Sequence, residues 1–211
     1  MRPSDCVRCV DFPCADVNIP AHVIPHIESV PASVKVVLIS EAVPVDPADY
    51  YYANGSPQAG SLFEETTVLA FQDAAALAGI DAQVTSLQDL LDLGIYFTTA
   101  VKCAKTGYTL KAATVKACSR LLETELGLFP NVKAYLLMGD VAIRAVNYVA
   151  KRRGEPRAVP AGSTYKIRGG DYRFRGVPAF PSYVQAGPAF FIEKSKRRMI
   201  AEDIATALAL L

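Results

Sequence analysis

Apolar positions along the chain fall into short β-branched runs that alternate with longer stretches of helical spacing. Val34-Lys35-Val36-Val37-Leu38-Ile39 is brief and almost continuously apolar, which predicts a strand buried on both faces of a parallel sheet and ending in Ser40-Glu41. After a polar, aromatic loop from Pro44 to Gly60 that contains Tyr50-Tyr51-Tyr52, residues 62–79 place Leu62, Phe63, Val68, Leu69, Phe71, Ala75 and Leu77 at roughly helical spacing. The order then repeats. A short helix is expected at 87–92, a strand at 96–101, a long helix over 110–128 closed by Pro130, a strand at 133–138, and a helix over 141–153 after the turn Gly139-Asp140. A last short strand at Val177-Pro178-Ala179-Phe180 and a helix over 192–211 complete the pattern. Strand–helix alternation of this kind predicts an α/β fold, a three-layer α/β/α sandwich around a central, mostly parallel four-stranded sheet with right-handed crossovers.

Residues 1–32 break the pattern. They carry five prolines and no sustained period, so they read as an irregular leader held in place by something else, appended to a single domain over 1–211. A chain of 211 residues, 51% hydrophobic and 20% charged, suffices for one core. It has no apolar run of about 18 residues and its start lacks the apolar stretch of a secretory signal, so a cytoplasmic protein with no membrane contact is expected. Neither Gly-x-Gly-x-x-Gly nor Gly-Lys-Ser/Thr follows a strand, which removes the usual dinucleotide and triphosphate cradles.

Charge changes the picture more than composition does. Net charge is +1, yet residues 151–211 hold 12 Lys/Arg against 5 Asp/Glu, so the C-terminal part is basic and the remainder acidic. A surface for an anion is one reading, and a solvated basic face is the other. Five cysteines, Cys6, Cys9, Cys14, Cys103 and Cys118, are an odd number, which argues against a disulfide framework. Cys6 and Cys9 form a C-x2-C pair in a Pro-rich loop, the setting in which thiolates are often offered to a metal.

Open parallel sheets bind ligands beyond the carboxyl ends of their strands. Here those ends present Ser40-Glu41-Ala42-Val43-Pro44, Thr98-Thr99-Ala100-Val101-Lys102-Cys103 and Phe180-Pro181-Ser182-Tyr183. Together with Ala59-Gly60-Ser61-Leu62 and Leu137-Met138-Gly139-Asp140, in this order over roughly residues 33–205, they resemble the uracil-DNA glycosylase superfamily, above all its iron–sulfur branch, families 4 and 5. The resemblance implies a base-excision enzyme that acts on damaged or single-stranded DNA as a monomer. It also implies a [4Fe–4S] cluster on Cys6, Cys9, Cys103 and Cys118, with Cys14 outside the set. On the residues alone, four soft thiolates suit a cubane or a tetrahedral zinc.

By the same resemblance Glu41 matches the family's motif-one acid, which would position the attacking water or stabilise a cationic sugar. Ala42, Tyr52, Thr99, Phe180, Ser182 and Tyr183 would surround the base, any of Tyr50–Tyr52 serving as its aromatic partner. Arg168, Lys194, Lys196, Arg197 and Arg198 would meet phosphates. The first motif departs from the family at Ser40, which replaces its leading Gly, and at Pro44, which sits one place later, and two further departures fall where the family handles the base. Thr99 stands where it has an Asn that reads the base edge, and Phe180 where it has a His that bonds the leaving base. A hydroxyl offers one short contact where an amide offers a donor and an acceptor, and Phe offers none. Each lost contact costs about 1–3 kcal/mol, so weak or absent uracil excision is expected, as is a rival reading in which the chain is a non-catalytic, nucleic-acid- or nucleotide-binding member.

Overall fold

The computed structural model of the chain describes residues 1–10, 14–53, 56–80 and 83–211; positions 11–13 of the expected leader and 54–55 of the expected loop lie outside it. In chain order the elements are α1 (Pro3–Cys6), β1 (Val17–His22), β2 (Val36–Ala42), β3 (Tyr52–Ala53), β4 (Ser56–Pro57), α2 (Leu62–Ala78), α3 (Leu87–Asp92), β5 (Ile95–Val101) and β6 (Cys103–Lys105). They continue with α4 (Ala112–Leu126), β7 (Ala134–Met138), α5 (Asp140–Arg152), α6 (Thr164–Ile167), β8 (Arg173–Phe174), β9 (Val177–Ser182), α7 (Ala189–Ile192) and α8 (Lys194–Leu208).

The main sheet runs in the order β5-β2-β7-β9-β8. Its first four strands are parallel, as the alternating pattern predicts, and β8 adds a fifth, antiparallel edge. The extra strand is a two-residue hairpin arm whose turn, Arg175-Gly176, has positive φ at both positions (52° and 82°), the geometry that matches strand twist in tight hairpins. Strands β2, β5 and β7 are buried almost throughout, with Val36 to Ile39, Phe97 and Leu136 to Met138 all at 0% exposure. That is why they read as continuous apolar runs.

Side-chain partners define the two helical layers. Phe97 of β5 packs edge-on against Phe71 of α2, while its neighbour Thr98 reaches Glu125 of α4. Thus α2 and α8 cover one face and α4 and α5 the other. Capping starts the helices where the sequence signals: Ser61 accepts from the Glu64 N–H before α2, and Ser86 with Asp89 forms a capping box before α3.

The leader differs from expectation. Residues 17–22 form a strand that pairs antiparallel with β6. The Val23 N–H donates to the Lys102 carbonyl at 2.7 Å, and the Asp16 carboxylate accepts from the Lys111 N–H and the Thr114 hydroxyl at the start of α4. Backbone pairing therefore holds this segment to the domain. It left little trace in the pattern because Pro20 and a bulge interrupt the strand.

Candidate active site and a thiol-lined cavity

Strand β2 includes Ser40 and Glu41, as expected, and runs one residue further, to Ala42. Alternation along a strand then decides where each side chain goes. Ser40 lies beside Thr99 of β5, and the register carries the row Leu38, Phe97, Leu136 and Phe180 across the sheet on that same face. Ser40, Thr99, Phe180 and Ser182 consequently face the α2/α8 layer. Glu41 faces α5: its Oε1 accepts from the Val141 N–H at 3.4 Å, in the first turn of that helix. The expected acid and the expected base-reading residues therefore stand on opposite faces and can meet a common ligand only over the strand ends.

Gly139, between β7 and α5, makes the Glu41 position possible. Its φ of 94° and ψ of 168° belong to a region that essentially only glycine occupies, and a Cβ there would stand 2.6 Å from Glu41 Oε1 and 2.5 Å from Val184 Cγ2. The backbone N–H of Gly139 also donates to the Ser182 carbonyl at 2.9 Å, tying the β9 loop to the same corner.

The α2/α8 face is polar but sealed. Tyr51, Ser40, Thr67 and Gln185 are all fully buried or nearly so. The Gln185 amide donates to the Tyr51 hydroxyl at 2.6 Å, Ser40 Oγ at 3.2 Å and Thr67 Oγ1 at 3.3 Å. Burial pushes the Tyr51 phenol up to about 12 despite these hydroxyl and amide partners. Tyr52 exchanges hydrogen bonds with the backbone of Phe97, and Tyr50 packs edge-on against Tyr52. The three tyrosines thus close over the sheet as core. Beneath them, the buried Tyr50 hydroxyl and Thr99 Oγ1 face one another and have no other hydrogen-bond partner among the described residues. Ala42 is buried at the end of β2, while Phe180 and Tyr183 are half-buried.

Several basic residues expected to meet phosphate also form ion pairs within the fold. Arg168 bonds Asp203 at 2.9 Å, Glu202 at 3.0 Å and the Met199 carbonyl at 2.9 Å. Asp203 in turn accepts from Ser182 Oγ at 2.6 Å. Burial raises its carboxyl above the ordinary value, against the opposing pull of Ser182 and Arg168. Arg168 is thus a support for the Ser182 loop. Arg197 forms a two-pronged pair with Asp73 of α2, Lys196 pairs with Glu193 and lies 5.4 Å over the Tyr183 ring, and Arg198 pairs with Glu202. Lys194 is exposed. Lys194, Arg197 and Arg198 lie against the later turns of α2, beside Asp73, Ala76 and Leu77.

On the other side of β5 a cavity of about 380 Å³ opens between the leader and α4. Four cysteines line it: Cys9, Cys14, Cys103 and Cys118. Cys6, the remaining member of the expected set, is exposed at the end of α1 and is not part of the lining. Arg8, Lys102, Lys116 and Arg120 surround the thiols with positive charge. Burial, reinforced by the neighbouring thiols, pushes Cys103 up to about 12, and burial likewise pushes Cys118 up to about 11 although the Lys102 N–H donates to its sulfur at 3.2 Å. Among the described residues no group of three or more His, Cys, Asp or Glu is arranged to hold a single metal ion.

Lys102 roofs this cavity and is itself fully buried. Its ammonium donates to Glu125 Oε2 at 2.5 Å, Thr98 Oγ1 at 2.6 Å and the Thr99 carbonyl at 2.6 Å, and Tyr96 donates to Glu125 at 2.7 Å. Sequence reading missed this pair, and with it Gln185, Asp203 and the placement of Cys14. A lysine and a glutamate 23 residues apart carry no pairing signal, whereas an amide in the apolar loop Tyr183-Val184-Gln185-Ala186 was a visible one.

A parallel sheet covered by helices on both faces, with these motifs at its strand ends, defines a three-layer α/β class. The model of the Uracil DNA glycosylase superfamily matches residues 27–201, and the chain belongs to that superfamily. It is also similar to a type-5 uracil-DNA glycosylase of Thermus thermophilus, 34% identical over 95 residues. That match spans 44% of this chain and 43% of the relative, under half the length of either. The type-5 relative agrees with the branch that the motifs resemble.

Proposed function

We propose that this chain, acting as a single-domain monomer of residues 1–211, is a DNA glycosylase of base-excision repair that hydrolyses the N-glycosidic bond of a deaminated or otherwise damaged base. Glu41 carries the reading. It is a partly exposed carboxylate at the carboxyl edge of the sheet, held at the positive end of α5 by the Val141 N–H and by the close approach that Gly139 allows. From there its oxygens orient a water toward the anomeric carbon and offset the positive charge of the sugar as the bond to the base breaks. Phe180 gives the departing base no hydrogen bond, so bases that leave with less help are favoured over uracil.

The cavity supports an iron–sulfur cluster in the same reading. Its volume of about 380 Å³ is room for on the order of ten waters at about 30 Å³ each. One zinc ion, by contrast, closes four sulfurs around it at about 2.3 Å. Soft donors, space and basic lining suit a polynuclear thiolate cluster held by Cys9, Cys103, Cys118 and a fourth thiol. When bound, such a cluster staples the leader to β6 and α4, and no step of hydrolysis passes through it.

A second, non-catalytic reading is favoured by one observation: Glu41 already serves as a helix-end acceptor and faces away from Thr99 and Ser182. The two separate in one experiment. Glu41→Gln should abolish base release from lesion-bearing DNA while leaving DNA affinity within about twofold. Binding by the unaltered protein with no release from any lesion would overturn the enzymatic reading in favour of the second.

A further inference from the structure

We infer that Cys14, rather than Cys6, supplies the fourth thiolate of the cavity, so that the ligand set is Cys9, Cys14, Cys103 and Cys118. The inference rests on the cluster reading above and concerns which thiols serve it. Spacing alone selects Cys6 and Cys9 as a C-x2-C pair, but the fold separates them. Cys6 ends a single helical turn fixed by the Val7 N–H on the Pro3 carbonyl at 2.9 Å and by the Ser4 N–H on the Pro25 carbonyl at 3.2 Å, and it is exposed there. Cys9 has turned into the cavity three residues later.

Cys14 reaches the same space from the other end of the leader loop. It is half-buried, packs against the core and lines the cavity together with Val17 and Cys103. Asp16, two residues on, is anchored to the Lys111 N–H and Thr114 at the start of α4, the helix that carries Cys118. Backbone pairing of Val17 with Lys105 fixes the approach from the β6 side, where Cys103 stands. Cys14 is therefore aligned with both inner thiols by contacts that do not involve a metal, whereas Cys6 would have to unwind its turn to join them.

The test uses the full chain purified without oxygen, as wild type and as Cys6→Ala, Cys14→Ala and Cys118→Ala, with iron and acid-labile sulfide counted per chain and folding followed by far-UV circular dichroism. Wild type and Cys6→Ala should each hold about four irons, and Cys14→Ala and Cys118→Ala should lose most of them. A Cys14→Ala protein that keeps its iron while Cys6→Ala loses it would overturn the assignment and leave the cluster standing. An iron-free wild type after reconstitution would sink the cluster reading itself. Should Cys14→Ala fail to fold, alkylation of the native wild type decides. Cys6 should react with iodoacetamide while the iron stays bound, and Cys14 only after chelation. Equal labelling of both with iron retained would overturn the inference.

Discussion

Replacing Lys102 by Met isolates the one ion pair that, among the described residues, has both side chains at 0% exposure. The ammonium makes three hydrogen bonds, and its removal leaves the Glu125 carboxylate buried with only the Tyr96 and Thr98 hydroxyls to face it. Leaving one member of a buried pair without its partner costs about 3–5 kcal/mol, because the remaining charge keeps its desolvation penalty. In a chain of this length each kcal/mol moves the melting point by about 2–4 °C, so a fall of roughly 6–20 °C is expected. Urea unfolding followed by circular dichroism at neutral pH measures it directly. Adding Glu125→Gln to Lys102→Met removes the charge while keeping an acceptor for Tyr96 and Thr98, and should recover about half of the loss. A Lys102→Met protein within about 1 kcal/mol of wild type, or a double variant less stable than the single, would refute the idea that an uncompensated charge sets the cost.

Gly139→Ala should cost about 1–3 kcal/mol for its backbone conformation alone, and should cut base release far more than stability because the new Cβ collides with Glu41; rates and urea midpoints measured together check this. Asp16 is held below the ordinary carboxylate value because, against the cost of burial, the Lys111 N–H and Thr114 hydroxyl favour its charged form. Its contribution is therefore present above the unfolded value and lost as pH falls through the folded one. The stability gap between wild type and Asp16→Asn should be full at pH 7 and should close as pH falls below the ordinary carboxylate value of 3.8, and a gap constant down to acid pH would contradict it. Changing Lys194, Lys196 and Arg198 together to Gln should weaken DNA binding alike on all sequences and flatten its salt dependence, the signature of phosphate contacts. Arg197 is left in place because it pairs with Asp73.

The parallel sheet was legible because strands buried on both faces read as near-continuous apolar runs, as Val36 to Ile39 and residues 134–138 do, and residues 95–101 apart from the buried Thr98 and Thr99. The leader strand was not, since Pro20 and an irregular register remove the alternation that marks a strand. At the site, motif order located Glu41 and Thr99 at neighbouring strand ends, yet a one-residue offset along β2 decides the face and is invisible until the register is known. Cysteine spacing named the right region and left open which thiols converge, because the path of a Pro-rich loop depends on tertiary hydrogen bonds such as those of Asp16.

The central claim, that the strand-end carboxylate of Glu41 performs hydrolysis with a preference shifted away from uracil, is tested most directly by single-turnover release of free base from duplexes that each carry one lesion. The account predicts measurable release of at least one deaminated or damaged base, uracil slower than that base, and no release of either by Glu41→Gln. Rapid uracil release that survives Glu41→Gln would contradict it.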